Sequence, residues 1–276
     1  MTGMSAGVAL RYVAVNIDRE YPLQMTITNE RGNFRFTRGS AFYSSGVIAD
    51  RGFEIVRTTF DRWLPLAAGF EAIQNHLRVR GRPLQALCSM ELRAPAPYPT
   101  RPLFMEFNSA YVDWLRRLDL LVDGIVPITR ANLAVVDGSV SEQHVYAFAY
   151  TVPSKTDRAT FMTSATADLR VRPDGTVENV AGGDVSPSGL REKTAFVLEA
   201  LSNKLRDLGT SWNLATQIGI YTVHQIGPLI PELILPMAGP GGRNGMTWHY
   251  TKPPVQNLEI EIDVRAVLQE LMVELT

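Results

Sequence analysis

Cysteine is nearly absent: Cys88 is the single one in 276 residues. No disulfide can close within the chain, which suits a reducing compartment. Cys88 sits in the apolar run "LQALCSMEL", far in sequence from any histidine. It reads as a small buried core residue rather than a reactive thiol. Histidine is scarce too. His76, His144, His224 and His249 show neither HxH nor HxxxH spacing, so neither a metal nor another cofactor is expected. No stretch approaches the ~18 uncharged apolar residues of a membrane span. The first residues, "MTGMSAGVALRYVAV", carry no basic leader followed by a long apolar segment, so the expected location is the cytoplasm. Runs of Lys and Arg are missing, the formal net charge is -1, and the aromatics do not interleave with a basic stripe. Nucleic acid is therefore not an expected partner. "AGPGGRNG" and "VAGGDVSPSG" are rich in glycine but lack the Lys-Ser/Thr ending and the strand-to-helix setting of a phosphate loop, and both read as loops. No GxSxG turn is present either, so a serine triad has no support.

What is present is ordinary globular material, 45% hydrophobic and 20% charged, and long enough for two domains of about 140 residues each. "LRYVAVNI" and "LQMTIT" alternate as strands do, and strand character returns around Phe42. In "LPLAAGFEAIQNHLRVRGR", Leu66, Phe70, Ile73 and Leu77 make one helical face. Pro65 suits the first turn of that helix and Gly81 its end. "LQALCSMELR" reads as a buried strand and "FMEFNSAYVDWLRRLDLL" as a second helix. Two strands around Asp137-Gly138 close the first half.

The second half repeats the plan. "ATADLRVRPDGTVENVA" reads as a hairpin turning at Asp174-Gly175. "GLREKTAFVLEALSNKLRDLG" reads as a helix with Val197, Leu201, Leu205 and Leu208 inward and Gly209 at its end. Strands follow in "LATQIGIYTVHQIG", "GMTWHYTK" and "NLEIEIDVRAV", and "VLQELMVEL" is compatible with a last helix. The expected fold is α+β, with domains at 1–150 and 151–276, each a mixed sheet covered on one face by two helices. The other face of each sheet must meet a partner domain or subunit.

This order of elements, occurring twice, resembles the RidA (YjgF) family of enamine/imine deaminases. The second half carries the resemblance best, from "VRPDGTVENVAGGDVSPSG" through its long helix to "PVQNLEIEIDVRA". "FYSSGVIAD", "LPLAAGFEAIQNHLRVRGRPLQAL" and "PITRANLAVV" fall in the same order in the first half. The resemblance implies chorismate-mutase-like domains, assembly as a homotrimer or hexamer, and a pocket for a small carboxylate-bearing substrate. It also implies an arginine that holds the substrate carboxylate and a closing-strand glutamate that positions water. These carry over to Arg243 and Glu259, sixteen residues apart. In the first half Arg130 matches the arginine, but "HVYAFAYTV" has no glutamate and Glu142 lies before it, so that half reads as catalytically degenerate. The bulky "GMTWHYTKPPVQN" points to a larger, flat or dicarboxylate substrate. Two branches of the superfamily take such compounds. One deaminates 2-aminomuconate formed in aromatic-ring degradation, and the other is the chorismatase group. The short, nearly equal halves favour the first. A binding or assembly module without activity is the third reading.

Enamine hydrolysis needs a carboxylate anchor, a placed water and proton transfer, but no metal. In "LEIEID" the period of two puts Glu259, Glu261 and Asp263 on one face and Leu258, Ile260 and Ile262 on the other. The acid face is expected to look toward a wet or interfacial side. Glu259 is the catalytic candidate, while Glu261 and Asp263 read as structural acids, Asp263 beside Arg265. Arg243 follows a glycine bend and suits a bidentate grip on a carboxylate. His249 and Tyr250 are catalytic candidates that point oppositely if the stretch is extended. His224 and Trp248 are candidates for binding substrate. Arg130 is the first-half candidate, with Asn132, Arg62 and Glu91 weaker, and with Tyr43, Ser44 and Ser45 in a loop near the implied pocket.

Overall fold

The computed structural model describes residues 26–172 and 174–275, and the expected strand in "LRYVAVNI" lies outside them. The elements begin with β1 (Ile27–Asn29), β2 (Phe34–Thr37), β3 (Gly46–Ala49) and β4 (Phe53–Pro65). They continue with α1 (Leu66–Val79), β5 (Leu87–Ala94), α2 (Arg101–Arg117), β6 (Thr129–Ala134) and β7 (His144–Pro153). Then come β8 (Phe161–Thr163), β9 (Thr166–Ala167), the hairpin β10 (Leu169–Val171) and β11 (Val177–Asn179), and α3 (Pro187–Asp207). The chain ends with β12 (Gln217–Tyr221), α4 (Leu235–Ala238), β13 (Met246–His249), β14 (Glu261–Ala266) and β15 (Gln269–Val273).

Helix boundaries follow local chemistry. Thr100 accepts the amide of Leu103 at the start of α2, and Ser186 accepts that of Gly189 at the start of α3, each followed by proline or glycine where the helix tolerates it. Gly81 and Gly209 take positive φ just past α1 and α3, as the sequence predicts. The Asp174-Gly175 turn between β10 and β11 also has glycine at positive φ.

One sheet has the order β15-β4-β7-β5-β6; the other runs β1-β2-β3-β8-β14-β12-β13, with β9 also on β14. Helices α1 and α2 cover the first sheet, where Phe70, Ile73, Leu77, Tyr111 and Leu115 pack on Met90, Leu92, Phe148 and Tyr150. Helix α3 covers the second, with Val197, Leu201 and Leu205 on Ile218, Ile220, Ile262 and Val264. The uncovered faces meet one another. Phe34, Phe36, Val47 and Met162 of the second sheet pack against Ile55, Cys88 and Ala149 of the first. The partner needed by each bare sheet face is thus the other sheet of the same chain, giving four layers with helices outside. Cys88 is fully buried there, and burial pushes its thiol up.

Chain segments are exchanged between the sheets. Strands β1–β3 join the sheet of β8, β12 and β14, while β15 runs parallel to β4 in the other. The strand β15 corrects the expected terminal helix of "VLQELMVEL". Leu271 and Val273 alternate into the α1/α2 core, and the open edge of β4 satisfies the strand's backbone.

A second correction concerns the acid face of β14, which is sealed between the sheets, with Glu261 and Asp263 only 6% and 7% exposed. Raised proton affinity makes this tolerable, since burial lifts Glu261 to about 8 and Asp263 to about 6, while the charges around them are paired. Arg57 on β4 grips Glu91 on β5 with two bonds of 2.6 and 2.8 Å. Glu270 on β15 bridges Arg57 at 3.2 Å and Arg265 at 2.9 Å. Asp263 accepts the Tyr221 hydroxyl at 2.7 Å, and the Arg93 guanidinium lies 4.1 Å from the Tyr146 ring centre. Burial alone would raise the Glu91 carboxyl, but Arg57 beside it, with Arg265 and Arg93, brings it down to about 2. Its stabilising effect is therefore complete above the ordinary carboxylate range and is lost as pH falls toward 2. Glu91→Ala strands a buried guanidinium, and we expect it to cost about 3–5 kcal/mol in urea denaturation at neutral pH. A loss below about 1 kcal/mol would show that the pair is solvated.

Candidate active site

A cavity of about 710 Å³ opens at one end of the seam between the sheets. Both halves of the chain line it. The first contributes the Ser40–Tyr43 loop, the start of α2 and the edge strand β6. The second contributes β9, the hairpin β10–β11, Ala200 and Lys204 of α3, the loop 254–258, and Glu261 of β14. Contacts from the loop hold the two together: Tyr98 N donates to Pro254 O at 2.7 Å, and Ala134 and Lys252 exchange backbone bonds.

Arg130 dominates the polar chemistry. Its backbone amide donates to Ser164 Oγ at 2.8 Å, and that hydroxyl donates to Ser44 O at 2.6 Å. The side chain is 4% exposed and is ringed by aromatics, with the guanidinium 4.9 Å from Tyr111, 5.2 Å from Tyr43 and 5.7 Å from Phe107. Nη2 donates to Asn108, and Nη1 has no hydrogen-bond partner among the described residues. Among the described residues Arg130 forms no ion pair. Burial lowers its pKa, partly offset by Tyr111, Tyr43, Tyr98 and Glu261. A buried cation with a spare N–H and no carboxylate is chemically suited to receive an anion, because isolated buried charge is otherwise costly. Nδ2 of Asn132, also on β6, is a second buried donor without a partner among the described residues.

Glu261 is the complementary group. Its Oε2 is buried without a partner among the described residues, and burial raises the carboxyl to about 8 despite the nearby Lys204 cation. Asp168 and Asp263 push it further up. At neutral pH Glu261 is thus a carboxylic acid able to give a proton. Lys204 reaches the cavity from α3, with Nζ donating to Ser164 O at 3.2 Å. Burial lowers its ammonium to about 8, against the pull of Glu261 and Asp263.

The structure brings Arg130 into this cavity and places the candidates Glu259, Arg243, His249, Tyr250, His224 and Trp248 elsewhere. Glu259 precedes β14, where Asp168 accepts its amide at 2.9 Å and turns the chain, and its carboxylate pairs with His224 Nε2 at 2.7 Å. Arg243 lies exposed in the helical turn Gly239–Asn244, and the structure gives it no ion pair with Glu259. His249 stacks on Tyr221 at 4.9 Å, while Tyr250 points out and is 64% exposed, the opposite orientations expected of neighbours. Trp248 packs against the α3 core and donates to Thr222 O at 2.9 Å. Of the weaker candidates, Asn132 and Tyr43 line the cavity, whereas Glu91 belongs to the ionic seam. Lys204 was not singled out. Its signal is spacing, since Lys193, Val197, Ala200 and Lys204 share one helical face, so two lysines are directed inward. Among the described residues no three His, Cys, Asp or Glu side chains form a metal-binding group, and no helix is long and apolar enough to cross a membrane.

Comparison with known proteins identifies the family. Residues 26–271 match the family model described as 2-aminomuconate deaminase CnbZ. The 2-amino-5-chloromuconate deaminase of Comamonas testosteroni is 39% identical over 243 residues, 87% of this chain and 95% of that protein. Among solved structures, a chorismatase aligns with 88% of this chain and 79% of its own at 14% identity and a TM-score of 0.43. E. coli TdcF with bound serine aligns with 39% of this chain and 80% of its own at 15% identity and a TM-score of 0.28. At those scores neither structural likeness bears on the chemistry. With its family model matched across both halves, and with a relative at that identity over nearly full length, this chain belongs to the 2-aminomuconate deaminase CnbZ family.

Proposed function

We propose that the protein is a hydrolytic deaminase of carboxylated enamines, acting on 2-aminomuconate or a ring-cleavage dicarboxylate close to it, such as the chlorinated compound in its relative's name. The observation that carries the site assignment is the buried guanidinium of Arg130, whose Nη1 has no partner among the described residues, in the same cavity as the buried Glu261 Oε2, which likewise has none. Arg130 takes the carboxylate next to the amino-bearing carbon, with Asn132 as a second donor. Phe104 and Tyr43 give the conjugated chain flat walls. Glu261 protonates the enamine at carbon and turns C2 into an electrophilic iminium carbon. Overall, water enters and ammonia leaves, with no change of oxidation state. The aromatic cage keeps the anchor dry, so its charge acts at full strength.

The test follows ammonia release and the loss of ultraviolet absorbance with 2-aminomuconate, with chorismate as the control for the alternative branch. Ammonia from the first and no pyruvate from the second is the expected result. Pyruvate from chorismate without ammonia from 2-aminomuconate would replace this reading. Self-association as a trimer or hexamer and a cytoplasmic location belong to the same reading. Sedimentation equilibrium of the purified chain tests the first, and cell fractionation the second.

A further inference from the structure

The two inward lysines of α3 are held very differently. Lys193 Nζ is fully committed, donating to Asp168 at 3.0 Å and to Val180 O at 2.6 Å, with both side chains of the pair inaccessible to solvent. Lys204, three turns on, has one backbone acceptor at 3.2 Å, forms no ion pair among the described residues, and faces the cavity. Ala200, one turn before it, leaves room around the amine. The same short segment positions anchor and amine. Ser164 O accepts from Lys204, Ser164 Oγ accepts the amide of Arg130, and Ala165 N donates to Arg130 O at 3.3 Å. In an α-amino enamine acid the carbon bearing nitrogen is one bond from the carboxylate. A carboxylate held by Arg130 therefore keeps that carbon near Arg130, in the cavity that Lys204 and Glu261 also line.

Resting on the deaminase reading, we propose that Lys204 is the nucleophile of the reaction, replacing ammonia through a covalent lysine imine that water then cleaves. Glu261 first gives its proton to the enamine carbon, forming the iminium. The Lys204 lone pair bonds to C2, and a proton moves from Nζ to the original nitrogen. The C–N bond to that nitrogen breaks and ammonia leaves, so C2 is now doubly bonded to Nζ. Water adds to C2, a proton returns to Nζ, and the C2–Nζ bond breaks to give the 2-oxo acid and free Lys204. Glu261, now a carboxylate, draws the proton from that water and is restored. One water is consumed and one ammonia released. Burial favours this role, since an amine that loses its proton near pH 8 has a reactive lone pair where an exposed lysine has almost none.

The chain has four lysines, of which Lys155 and Lys252 are exposed and serve as internal controls. The wild-type protein is incubated with 2-oxoadipate, a stable six-carbon 2-oxo dicarboxylate, and sodium cyanoborohydride, and its peptides are mapped by mass spectrometry. The expected result is a reduced secondary-amine adduct at Lys204 well ahead of Lys155 and Lys252. Lys204→Arg, which keeps the charge, is expected to lose about a hundredfold or more in kcat for ammonia release, the scale of a single group acting directly in the chemistry. Ammonia release by the wild type with Lys204 labelled no faster than the exposed lysines, or with full rate in Lys204→Arg, overturns the lysine imine and leaves the deaminase reading standing. No ammonia from the wild type overturns both.

Discussion

Arg130→Met should lose most of its activity without losing its fold. Methionine keeps much of the volume inside the ring of Tyr43, Phe107 and Tyr111 while removing the charge. Truncating one partner of a buried charge-assisted contact costs about 2–5 kcal/mol, which is roughly 30- to several-thousand-fold in kcat/KM. The loss should fall mainly on KM for the free anchor and extend to kcat wherever the anchor aligns C2. Arg130→Lys should rescue little, because a single ammonium cannot reproduce a planar fork that already donates to Asn108. Stability should move the other way. In the free protein the guanidinium is desolvated and lacks a carboxylate, so the methionine variant should melt no lower than wild type, or higher. Saturation kinetics and thermal melts on the same preparations separate the two effects. Unchanged KM and kcat in Arg130→Met would remove Arg130 from the site.

Glu261→Gln should reduce kcat by about 10²–10⁴, the usual reach of a positioned acid. It should also erase a feature of the pH profile. With a carboxyl raised to about 8, the acid form is present at neutral pH and disappears as pH rises through 8, so wild-type kcat should fall on the alkaline side there. Glutamine cannot titrate, and its residual rate should not follow that limb. The stability consequence has a definite sign. Because the folded carboxyl binds its proton more tightly than the unfolded one, its contribution is greatest below the ordinary carboxylate range. That contribution is lost as pH climbs from about 4.5 to about 8. Glu261→Gln should therefore be more stable relative to wild type at pH 8 than at pH 5. An alkaline limb that survives in the glutamine variant would assign the titration to another group.

The acids of "LEIEID" show how far local pattern reaches. Alternation placed Ile260, Ile262 and Val264 under α3 and set Glu261 and Asp263 on the opposite face, because side chains on a strand alternate wherever the strand lies. The same rule set Glu259 with them. Yet Asp168, ninety-one residues earlier, accepts the amides of Glu259 and Ile260 and bends the chain before the strand begins. The Glu259 carboxylate then reaches His224 rather than the cavity. Arg130 was readable only through the family resemblance, which matches it to the arginine that holds the substrate carboxylate. Lys204 was not, because a lysine at the flank of a helix is usually a solvated one.

By itself the sequence determined the three long helices, most of the strands, the apolar face of each and the α+β class, since these follow from periodicity and end signals within a few turns of chain. It also carried the family resemblance. Only the tertiary structure decided what the bare sheet faces meet, that β15 crosses to the first sheet, and which arginine and which acid share a cavity. Those outcomes depend on contacts between residues far apart in the chain, whose joint burial sets charge, proton affinity and reach, and no local spacing encodes them.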